Sequence, residues 1–145
     1  MRSAVFGLVC VAGVSLASAQ EVTMPDLRGV WSGPFRTVIY GHNPHHPGTE
    51  TTADAPRVRD IVFTIDFEGQ DGRLVWGHSW SDPASKEPFA GTFTLDGKRV
   101  DAVDLDGAFT FDIVSPDRIE TCYANTALGP AHAIVASCGA VERAK

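Results

Sequence analysis

Residues 57–81 read RVRDIVFTIDFEGQDGRLVWGHSWS, and the period of that stretch decides the fold. Ile61, Phe63, Ile65 and Phe67 fall on one side of an extended chain, and Asp60, Thr64 and Asp66 on the other. Alternation of this kind marks a half-buried strand. Gln70-Asp71-Gly72 supplies turn residues. Residues 73–81 then form a second strand on which Leu74, Trp76, His78 and Trp80 share a face.

The same reading extends in both directions. Residues 29–40 form a first strand, and residues 41–56, GHNPHHPGTETTADAP, a polar loop. Residues 82–88, DPASKEP, form another loop, followed by a strand over 89–95 with Phe89, Gly91, Phe93 and Leu95 aligned. Asp96-Gly97 is a strong hairpin signal and leads into a strand over 99–105. Asp106-Gly107 turns the chain into a strand marked by Phe109, Phe111 and Ile113. Ser115-Pro116-Asp117 turns it again into 119–124, and Gly129-Pro130 leads into a last strand over 132–141. No segment after residue 20 carries a helical period of useful length. About eight strands joined mostly by short turns predict an all-β, antiparallel, up-and-down barrel. A barrel of that size is filled by side chains or holds one small ligand.

The N-terminus reads differently. Met1 and Arg2 precede an uncharged run over 4–17, and Ala17-Ser18-Ala19 supplies an A-x-A cleavage site. Residues 1–19 are read as a signal peptide, 20–28 as an N-terminal tail and 29–145 as the barrel domain. The apolar run of about 14 residues is shorter than the roughly 20 of a spanning helix, so no membrane span is expected. Cleavage would remove Arg2, leaving 11 basic against 18 acidic residues and a net charge of −7. That charge repels phosphate backbones, which argues against a nucleic-acid partner. Cys10 leaves with the signal, and Cys122 and Cys138 remain as a pair suited to a disulfide in a periplasmic or secreted protein. The two cysteines are equally distant from Pro130, so an antiparallel pairing about that residue places them opposite each other.

The start of the first strand, Gly29-Val30-Trp31-Ser32-Gly33, resembles the calycins, which comprise lipocalins, fatty-acid-binding proteins and avidins. In that superfamily a Gly-x-Trp opens the barrel, and the tryptophan packs across its closed end against a basic residue of the last strand. The resemblance implies these barrel-closing roles for Trp31 and Arg143. It also implies an interior ligand or a partner at the rim. The avidin set of biotin-binding hydroxyls and tryptophans is absent, as is the helix that ends most lipocalins, so biotin is not implied.

Two constellations are candidate ligand contacts. Trp76, His78 and Trp80 would line a pocket if their face is interior, with one polar group between two indoles. His42, His45 and His46 lie in the loop after the first strand, where they could meet a ligand or metal, or be solvated. No metal and no cofactor is assigned. Asp101, Asp104 and Asp106 read as a solvated edge. The expected function is binding of a small, partly apolar ligand. The alternatives are a protein-interaction module, such as an inhibitor that inserts its N-terminal tail into a secreted protease, and a lyase or isomerase using His78.

Overall fold

The computed structural model describes residues 22–41, 55–126 and 133–145. Among them the chain forms eight strands: β1 (Gly29–Gly41), β2 (Arg57–Asp71), β3 (Leu74–Trp80), β4 (Glu87–Phe93), β5 (Arg99–Val103), β6 (Gly107–Ser115), β7 (Arg118–Thr126) and β8 (Ala133–Arg143). Each pairs antiparallel with the next, and β8 returns to β1, closing the barrel. The expected fold class is therefore observed. No helix long and apolar enough to cross a membrane occurs among the described residues. The proposed signal peptide lies outside them.

The barrel interior is mostly solid. Phe67, Phe89, Phe93, Phe109 and Phe111 are all buried and belong to one core with Trp31, Phe35 and Ile65. Phe67 meets Phe89 and Phe111 edge-on, with ring centroids 5.3 and 5.5 Å apart, and Phe109 stacks on Phe111 at 5.3 Å. Burying a phenylalanine side chain stabilises a fold by about 2–3 kcal/mol. This layer of rings therefore carries much of the drive to close the sheet.

The closed end is built from the segment that leads into β1 and the end of β8. Trp31 is fully buried, and its indole Nε1 donates to the Leu27 carbonyl at 2.8 Å. The Arg143 guanidinium lies 4.2 Å from the Trp31 ring centroid. It donates to the carbonyls of Arg28 at 2.6 Å, Asp26 at 2.7 Å and Pro116 at 3.3 Å. The segment before β1 is part of this closure. Leu27 is buried and Met24 packs on the core. Gln70 clamps the segment from below, donating to the Pro25 carbonyl at 2.9 Å and accepting from the Leu27 amide at 3.0 Å. Residues 24–28 are thus packed against their own barrel, which counts against the reading of this segment as a tail inserted into a protease.

Cys122 and Cys138 stand directly opposite each other on β7 and β8 and form a disulfide, with Cα atoms 4.1 Å apart. Both lie on the outer wall. Closing a loop of this length stabilises a fold by about 3 kcal/mol, chiefly by restricting the unfolded chain.

Candidate functional site

The end of the barrel opposite Trp31 and Arg143 remains partly open. A cavity of about 40 Å³ enters the interior there. That space holds about three waters or one small chemical group. Its apolar wall is formed by Phe35, Ile61, Phe63 and Phe109. Polar groups reach it from three other strands: Ser79 on β3, Asn125 on β7 and Ser137 on β8. Small residues at these places leave the space that phenylalanines fill lower in the barrel.

Three carboxylates gather at the same cavity. Glu87 begins β4, and Asp104 and Asp106 lie in the turn between β5 and β6. One oxygen from each lies within 4.8 Å of the others, and all three residues are half-buried. The turn is shaped by Asp104, whose Oδ1 accepts the backbone N–H groups of Asp106 at 3.2 Å and Gly107 at 2.7 Å. Short acidic side chains make such turns readily because they reach their own backbone two residues on. Gly107 then lets the chain pass close to Tyr123: a Cβ there would lie 2.4 Å from the ring. The ring packs at a tilt on Phe109, with centroids 4.5 Å apart, and its hydroxyl donates to Asp106 Oδ1 at 2.8 Å.

These groups are electrostatically perturbed. Burial pushes the Asp104 carboxyl above the ordinary aspartate value, with the Asp106 charge adding to it and backbone hydrogen bonds opposing it. Burial likewise pushes the Tyr123 hydroxyl far up, reinforced by the Asp104 charge and the bond to Asp106. Tyr123 is therefore a fixed hydrogen-bond donor and not an acid–base group near neutral pH. Perturbed ionisable groups beside a concave, mostly apolar surface are the usual mark of a binding site.

The aromatic face of β3 is corrected by the structure. Val75, Gly77 and Ser79 point inward, whereas Trp76 and His78 lie on the outer wall. Pairing sets this outcome: Phe67 and Ile65, both interior, stand opposite Gly77 and Ser79. The core phenylalanines occupy the space across the barrel, and only small side chains fit on β3. Trp76, 45% exposed, covers Gly69, where a Cβ would fall 2.2 Å from its ring. Gly69 sits at the register shift in β2, so the indole shields a local irregularity of the sheet. His78 is bound to Glu68 through Nδ1 at 2.8 Å, and its side chain is 39% exposed. It does not line the cavity.

Trp80 alone of that trio reaches the cavity, at its rim, with the Lys86 ammonium 4.0 Å from the ring centroid. His42, His45 and His46 lie outside the described residues. Asp101 is exposed as expected, but Asp104 and Asp106 belong to the cavity and not to a solvated edge. Sequence reasoning also passed over Glu87, Tyr123 and Ser79. Strand parity held a signal for Tyr123, which falls on the same side of β7 as the buried Ile119 and Thr121.

No protein-family model matches the chain, and no curated protein matches it. Among solved structures, the S-type phycobiliprotein lyase CPES of Guillardia theta is similar, with a TM-score of 0.40 and 11% identity. The match covers 82% of this chain and 89% of that one.

Proposed function

We propose that the protein is an exported, calycin-like barrel that binds a small ligand in the cavity at its open end. The observation that carries this reading is the cavity itself: a narrow space with an aromatic wall and a few placed polar groups, in a barrel otherwise packed solid. Trp80 is the rim contact for the part of the ligand that projects outward. Export is supported by the leader-like residues 1–19 and by a disulfide of the kind that persists in oxidising compartments. The small volume limits the inserted part of the ligand to a few heavy atoms.

The test is native mass spectrometry of the protein purified from its own compartment, followed by NMR titration with a library of small fragments. Wild-type protein is expected to carry or bind a compound. The Ser79→Leu variant, which fills the cavity, is expected to lose it while its far-UV spectrum is unchanged. Wild-type protein that carries nothing and binds no fragment at millimolar concentration would refute the reading.

A further inference from the structure

The charge on the cavity wall is one-sided. Among the described residues that line it are three carboxylates and no lysine or arginine. Glu87, Asp104 and Asp106 bring oxygens within 4.8 Å of one another while half-buried, so water screens their repulsion incompletely. Lys86 rests on the Trp80 ring, and Arg57 and Arg59, on the rim end of β2, do not line the cavity. The rings of Phe35, Phe63 and Phe109 line the same cavity.

We propose that the ligand is a small primary ammonium cation, its head held by Glu87, Asp104 and Asp106 and its short apolar body laid against Phe35, Phe63 and Phe109. The proposal rests on the small-ligand reading of the same cavity and names the ligand's chemical class. An alkylammonium head has three N–H donors, matching three carboxylates. Ring faces also attract a cation, so both walls favour the same charge. A quaternary head has no N–H to donate and would leave the three carboxylates without hydrogen bonds. A hard metal ion fits less well. Calcium takes six to eight oxygens, and half of this wall is carbon.

The experiment compares n-butylammonium, 1-butanol, butyrate and tetramethylammonium, with CaCl2 as a separate arm. Binding is followed by backbone amide shifts of Ser79 and Gly107 at neutral pH. Butylammonium is expected to bind at least tenfold more tightly than butanol, and butyrate and tetramethylammonium not at all. Asp106→Asn keeps an oxygen to accept the Tyr123 hydroxyl, and Asp104→Asn keeps the acceptor for its turn, so both variants are expected to melt as folded proteins. Each is expected to weaken butylammonium at least tenfold and to leave butanol unchanged. Binding is also expected to weaken as pH falls and the Asp104 carboxyl, its pKa raised by burial, takes up its proton. Tyr123, which also faces the head and whose hydroxyl burial pushes far up, keeps its proton across that range.

Butanol binding as tightly as butylammonium would overturn the cation assignment and leave the cavity's binding role standing. Unchanged affinity in the folded Asn variants would do the same. Calcium binding more tightly than butylammonium, with loss in Asp106→Asn, would make the cluster a metal site and overturn the organic cation. Failure of every probe to shift these amides would overturn the small-ligand reading as well.

Discussion

The Tyr123 hydroxyl donates a 2.8 Å hydrogen bond to Asp106 Oδ1 and so ties a ring packed on Phe109 to the turn that carries two carboxylates. The bond joins the apolar wall of the cavity to its acidic mouth. Tyr123→Phe keeps the ring and removes the donor. A hydrogen bond to a charged group contributes about 1.5–3 kcal/mol, and partial exposure of this carboxylate places the loss near the lower end. Urea unfolding of the variant is expected to show that loss. Amide exchange at Asp106 and Gly107 is expected to quicken more than exchange in β1, because the turn loses its anchor to the barrel.

Arg143 holds the other end of the barrel by geometry as much as by charge. Its guanidinium spans three carbonyls and covers the Trp31 ring, and Nε also approaches Asp117 at 3.4 Å. A lysine keeps the charge but cannot present a planar fork to several acceptors. Arg143→Lys is therefore expected to cost about 1–2 kcal/mol and Arg143→Ala about 3 kcal/mol, on the scale of charged hydrogen bonds and a desolvated cation–π contact. Thermal melts would rank the two. A lysine variant as stable as wild type would show that charge alone closes the barrel.

Thr121 presents the opposite case, a polar atom that its surroundings do not reward. Its side chain is buried in the barrel, and Oγ1 has no hydrogen-bond partner among the described residues. Valine has nearly the same shape without the hydroxyl. Relieving an unmet buried polar group returns about 1–3 kcal/mol. Thr121→Val is accordingly expected to stabilise the protein by about 1 kcal/mol in chemical denaturation, with ligand binding at the open end unaffected.

The strands and turns were legible because their signals are local. Ile61 to Phe67 alternate, Gln70-Asp71-Gly72 and Asp96-Gly97 turn the chain, and all of β1 to β8 lie close to the segments that those patterns mark. The opposition of Cys122 and Cys138 followed from equal distances to Pro130. Which face of β3 points inward was not legible. Two tryptophans outweigh Val75, Gly77 and Ser79 on any hydrophobic count. The choice depends on how much room phenylalanines from β2, β4 and β6 leave, which is a property of the closed barrel. The acidic mouth was hidden for a related reason. Asp104 and Asp106 sit in a turn, where aspartates are ordinary, and Glu87 and Tyr123 join them only once β4 to β7 are paired in register.

Asp104 gives the site a pH signature that can be read without any ligand. Burial raises its carboxyl pKa above the value in the unfolded chain, so the folded state binds this proton more tightly. Where the folded state holds more protons, stability falls as pH rises. The stabilising effect of protonation is complete below the ordinary aspartate value and is lost as pH climbs through the raised one. Asp104→Asn removes the titration but leaves an oxygen to accept the Asp106 and Gly107 amides. The variant is therefore expected to be more stable than wild type at neutral pH, and the difference is expected to shrink toward zero as the pH is lowered below about 4. Denaturation curves for both proteins across that range would check it. A difference that grows on acidification would mean that the turn depends on the ionised carboxylate, and that backbone hydrogen bonding outweighs burial at this mouth.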